Sequence, residues 1–182
     1  MDSYAQKLVD HYQQTFSAPT RQVRLEEGRI AFLPGHFRIL VFPHQSQQVY
    51  ATCCMSQPQD EPGLELHLVT KNKPEKEHDI VMLLHAVAEY HRTGTTLGLG
   101  HTVNFGMPWQ PGSRCTKGYI SLPYLFGPTL EWLKKPKVRC LWLIPVTPAE
   151  VEFKKQQGID ALEDRFEGTQ FDYDDPIRSS VA

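Results

Sequence analysis

The sequence lacks the motifs around which catalytic and metal sites are commonly built. It has no GxSxG elbow for a serine nucleophile, no Walker lysine and no GxGxxG order for a dinucleotide. Its cysteines, Cys53, Cys54, Cys115 and Cys140, form no CxxC and share no zinc-type spacing with histidine, so neither a metal nor a cofactor is expected. As neighbours on a strand, Cys53 and Cys54 should point to opposite faces, which argues against chelation and against a mutual disulfide. Free thiols suit a reducing compartment, and a cytoplasmic location is expected. Nothing reaches the roughly 18 apolar residues of a membrane span. The opening MDSYAQKLVDHYQQTF puts polar groups where a signal peptide needs an apolar core. A basic surplus is missing too: 19 Lys and Arg, scattered, stand against 21 Asp and Glu, so nucleic acid is not an expected partner.

What is present suits one domain over residues 1–182, with hydrophobic residues at 40% and charged residues at 22%, far from a disordered composition. Tyr4, Leu8, Tyr12 and Phe16 recur at four-residue steps, which predicts an amphipathic helix over 2–17. Three β-rich runs, 36–42, 48–55 and 64–69, are separated by turn formers and predict an antiparallel meander. Leu64, Leu66 and Leu68 alternate with Glu65, His67 and Val69, so one face of the third run should be core and the other partly polar. The segment PEKEHDIVMLLHAVAEYHRTG predicts a central helix, apolar on most sides, with Gly94 as a left-handed residue past its end. Short strands are expected at 101–105 and 118–122. A run at 138–144, apolar on both faces, should lie in mid-sheet. Thr147, Pro148 and Glu150 form a capping box with proline at the first helical position, starting a helix that ends near Gly158. A last helix over 159–166 precedes the tail FDYDDPIRSSVA.

Candidate chemistry is sparse. His78, His85 and His91 lie on the central helix without the close pairing of a zincin site and read as structural residues. Glu65 and His67 share a strand face, where they read as polar residues on its wetter side. The alternative is a small-molecule enzyme using Glu65, His67 or His101 in acid/base roles. Cys115, near Arg114 and Lys117, has the best local charge for a lowered pKa, while Cys140 reads as core. The glycine-rich stretch 93–112 follows a helix, the wrong context for phosphate. It is either a binding loop, with Trp109 and Tyr124 as aromatic anchors, or a loop folded back over the core. The acids Asp172, Asp174 and Asp175 belong either to a solvated terminus or to a surface complementing a basic nuclease.

Several strings, in order, resemble the suppressor-of-fused family. They are VYATCCMSQPQDEPGLELHLVT with the Gly63 to Leu66 motif, LLHAVAEYHRTGTTLGLGHTV, LWLIPVTPAEVEFKKQQGIDALEDRF and the closing DDPIRSSV, spanning about Phe37 to the carboxyl end. The resemblance implies an α/β (α+β) sandwich: a mixed, mainly antiparallel sheet flanked by helices. It also implies a non-enzymatic protein-binding role. At this length it implies a bacterial stand-alone member acting as an immunity protein against a polymorphic toxin, with a homodimer as a further possibility. In the animal protein the end of the second strand contributes to a peptide cleft, which makes Tyr50 and Met55 candidate contacts beside Trp109 and Tyr124. Here Cys53 and Cys54 stand where members often carry an aromatic residue and a glycine.

Overall fold

The computed structural model describes residues 3–25, 32–71 and 73–182. Among these residues, eight strands form one sheet in the order β1-β2-β3-β4-β8-β6-β5, with β7 paired to β8 off that path. The strands are β1 Arg21–Val23, β2 Arg38–His44, β3 Gln47–Cys53, β4 Gly63–Lys71, β5 Thr102–Asn104, β6 Lys117–Ser121, β7 Trp132–Leu133 and β8 Val138–Val146. The helices are α1 Ser3–Gln13, α2 Glu77–Thr93, α3 Pro128–Glu131, α4 Pro148–Gln157 and α5 Ile159–Gly168.

The expected meander is β2-β3-β4. Its first hairpin closes on Gln45 and Ser46 between the paired His44 and Gln47, with Gln45 at φ 51°. The sheet then becomes mixed, because β8 lies parallel to β4 and antiparallel to β6. Between those neighbours β8 is buried on both faces, as its unbroken apolar run requires.

Two apolar layers flank the sheet. One packs α1, α4 and α5 on the side facing Phe42, Val69, Cys140 and Ile144. The other packs α2 on the side facing Ile39, Leu66, Leu68 and Leu143. The stripe predicted for the first helix is realised, with Tyr4, Leu8 and Tyr12 buried and Phe16 packed just past its end. Burial of one such side chain contributes about 1.5–3 kcal/mol, so this helix is held by its packing.

Two local expectations change. Gly94 is not left-handed, with φ −109° and ψ −120°. Glycine is needed there for space, because a Cβ would stand 2.8 Å from the Tyr90 ring. Nor is the tail a solvated terminus. The buried Arg178 guanidinium donates to both Glu150 carboxylate oxygens at 2.6 and 2.8 Å and to Pro145 O at 3.0 Å. Glu150 is also the capping-box residue of α4, accepting from the Thr147 N–H at 2.7 Å. Burial alone would raise the Glu150 carboxyl, but the hydrogen bonds and charge of Arg178 hold it below its ordinary value. Tail acids engage nearby: Asp174 accepts from Gln47 at 2.6 Å, and Asp175 pairs with Lys71 at 3.3 Å.

Candidate functional site

The acid/base candidates do not form one site. Glu65 and His67 share a face of β4, but that face is not wet: every β4 residue from Gly63 to Thr70 is buried. Cross-strand pairing sets Leu40, Ala51, His67, Trp142 and Ser121 in one row across the sheet. With α1 packed on the same face, the polar positions of β4 lie inside the α1 layer. His67 has no hydrogen-bond partner on either ring nitrogen among the described residues, and Phe126 packs on it at 5.5 Å between centroids. Burial lowers its pKa to about 3, so the imidazole stays neutral.

Glu65 has a structural task. β3 and β4 diverge after the Ala51–His67 pair, and Thr52 Oγ1 takes the Leu66 N–H at 2.8 Å in place of a ladder bond. The Glu65 carboxylate accepts from Thr52 Oγ1 at 2.7 Å and from the N–H groups of Met55 and Ser56 at 3.1 and 3.2 Å. Burial outweighs these bonds and raises its pKa to about 7. His101, by contrast, is exposed on the loop before β5. Among the described residues, no group of three His, Cys, Asp or Glu is placed to hold a metal.

The cysteines are packing residues. Cys53 and Cys54 do not point to opposite faces: β3 ends at Cys53, and Cys54 turns to φ 68°. That turn brings both side chains into one layer, with their sulfurs 3.9 Å apart. The contact with Cys54, followed by burial, pushes the Cys53 thiol up. Cys115, expected to be lowered by neighbouring cations, is raised because it is buried. Of the α2 histidines, His85 bonds Val81 O at 2.8 Å and takes the Leu25 N–H at 3.3 Å, and His91 takes the Leu97 N–H at 3.0 Å.

Of the four candidate contact residues, Tyr50, Met55 and Trp109 are buried, so only Tyr124, 55% exposed, offers a ring to solvent. The Tyr50 hydroxyl lies 2.7 Å from both Gln48 and Glu77, and Met55 and Trp109 pack in the α2 layer.

The exposed apolar surface lies elsewhere. Met82, Tyr90 and Met107 are 42%, 44% and 48% exposed. They border a groove of about 700 Å³ between α2 and the last strand of the sheet, β5. Its floor depends on Gly118, where a Cβ would meet Phe105 and Leu143 at 2.7 Å; glycine lets the Phe105 ring lie across β6. Lys117 and Lys155 are the charged residues lining it, and no acidic group does. The signal for this surface is in the α2 sequence. Met82, Ala86 and Tyr90 repeat every four residues, a second stripe beside the core stripe of Ile80, Leu84, Val87 and Ala88. A helix apolar on most sides was expected to be covered on most sides; here one stripe meets the sheet and the other meets solvent.

The family model for suppressor of fused protein (SUFU) matches residues 34–179. Among solved structures, the chain is similar to a suppressor of fused homolog from Neisseria gonorrhoeae FA 1090, at 27% identity, TM-score 0.85, and coverage of 98% of this chain and 97% of that one. It is similar in fold to the structure of the Sufu-Fu complex, at 15% identity, TM-score 0.74, and coverage of 98% and 92%. Drosophila Suppressor of Fused shares the fold at 15% identity and TM-score 0.73, with 98% of this chain matched to 51% of that one. A search of curated protein sequences found no match.

Proposed function

The chain belongs to the suppressor of fused family, and from that premise we propose that residues 1–182 act as one non-enzymatic protein-binding domain. The observation that carries the reading is the groove of Met82, Tyr90 and Met107 beside β5, whose outer edge has no strand partner among the described residues. An extended segment of a partner protein would pair with that edge and lay apolar side chains into the groove. Acidic flanks on the segment would meet Lys117 and Lys155. One structural neighbour is itself a complex with another protein, Fu, which supports a contact role for the fold.

The partner we propose is a polymorphic toxin encoded nearby, which the chain neutralises as a bacterial, cytoplasmic immunity protein. Similarity to the Neisseria homolog over nearly all of both chains supports the bacterial reading. The four free cysteines suit a reducing compartment, and no described helix is long and apolar enough to cross a membrane. The test is co-expression with the adjacent toxin. Growth should be rescued by the wild type and lost with Tyr90→Asp/Met107→Asp, with co-purification lost in step. Rescue that survives the double variant would move the contact off this groove. A second copy of the chain is the rival occupant, and sedimentation would reveal it as a dimer dispersed by the same variant.

A further inference from the structure

A second recess, of about 300 Å³, lies on the opposite layer where α5, the tail and the β6–β8 pair meet. Five of its eleven lining residues are aromatic. Trp142 of β8 and Tyr173 of the tail stand at 85° with centroids 5.1 Å apart, forming a corner. Phe166 of α5 stacks on Phe171 at 4.1 Å, and Tyr124 adds a ring at the exposed side. Phe171 carries the Arg178 guanidinium 4.6 Å from its centroid, and that charge is matched by Glu150, so Phe171 pins the tail against α5 and fixes the wall.

The charged residues lining the recess are Glu163 and Glu167, with no basic group among them. Glu163 is held by three hydroxyls: Tyr119 and Ser121 donate to Oε1 at 2.8 Å each, and Tyr124 donates to Oε2 at 3.1 Å. Burial and the adjacent carboxylate push the Tyr119 hydroxyl well up, so it remains a donor. Donors of this kind fix the position of the carboxylate. Among the described residues Glu163 has no ion-pair partner.

Ring faces carry negative quadrupole potential, and the Glu163 carboxylate lining the same recess adds to it. A metal ion would need several oxygen ligands in place of rings. The fitting ligand is a cation with an apolar skin. We propose that this recess binds an alkylammonium group, with Trp142, Tyr173 and Phe166 as its walls and Glu163 as its counter-charge.

The test compares choline with its uncharged carbon isostere, 3,3-dimethylbutan-1-ol, by calorimetry and Trp fluorescence on the whole chain. Choline should saturate with a dissociation constant on the order of 1 mM or below, and the isostere should bind about tenfold more weakly. Glu163→Gln should remove that preference while binding of the isostere persists. Glu167→Gln, at an exposed position, is the second variant should the first fail to fold, and it should narrow the preference. Peptides with free and trimethylated lysine separate the sources: either one binding in place of choline supports the ammonium site and assigns it to a protein side chain. Equal binding of choline and isostere, or binding of neither choline nor the peptides, would overturn the proposal.

Discussion

The β4 interior and the α2/β5 groove reverse the usual distribution of side chains. Beneath α1, Glu65 and His67 are sealed from water, while across the sheet Met82, Tyr90 and Met107 face it. Here the polar groups join strands that diverge and fill a layer, and the apolar ones make a surface. The difference teaches that replacing interior polar groups should change stability and leave contact intact, whereas replacing groove residues should do the opposite.

The largest effect expected on the stability side is at the tail. Arg178→Ala leaves Glu150 buried and unpaired and should cost about 3–5 kcal/mol in urea unfolding. A loss under about 1 kcal/mol would mean that water reaches Glu150 once Arg178 is gone.

The next effect is the pH dependence of the Glu65–His67 pair. The folded Glu65 carboxyl binds its proton up to about pH 7, above its unfolded value of 4.5, so its contribution is full below pH 4.5 and is lost as pH rises to 7. His67 is neutral in the fold down to about pH 3 but protonates at 6.5 when unfolded, so its contribution is full above 6.5 and is lost as pH falls. Between about pH 4.5 and 6.5 the two slopes oppose each other. His67→Leu should unmask the carboxylate slope, seen as a loss of about 3 kcal/mol between pH 4.5 and 7 in urea titrations. A flat profile in that variant would show that Glu65 is ionised in the fold throughout.

A smaller change in free energy, but the one that bears on function, is expected in the groove. Tyr90→Asp/Met107→Asp should weaken partner binding by about 2 kcal/mol, roughly 30-fold, and shift folding stability by only about 0.5 kcal/mol. Smallest is His67→Leu at pH 7, where removing an unpartnered buried imidazole should be neutral or stabilising by about 1 kcal/mol. A large destabilisation would point to a polar partner for His67.

Local signals in the sequence were legible. The capping box at Thr147 and Glu150 forms as read, because its bonds span three residues. The apolar run of β8 announced a strand covered on both faces. What was hidden depends on distant chain. Alternation along β4 looks half-wet until α1, some fifty residues earlier, is laid over Glu65 and His67. Cys53 and Cys54 share a layer because β3 stops between them, where it parts from β4. Arg178 read as tail because its carboxylate partner lies 28 residues back. The Met82, Ala86 and Tyr90 stripe was visible as periodicity, but its exposure follows from β5 being the last strand of the sheet.

Backbone amide hydrogen exchange, measured on the chain alone and in complex with a protein partner that co-purifies with it, tests the contact surface most directly. The account predicts new protection concentrated in Thr102–Asn104 and along α2 around Met82 and Tyr90, with the β4 interior unchanged. Protection at the opposite sheet edge, Arg21–Val23, with none at β5 would contradict it.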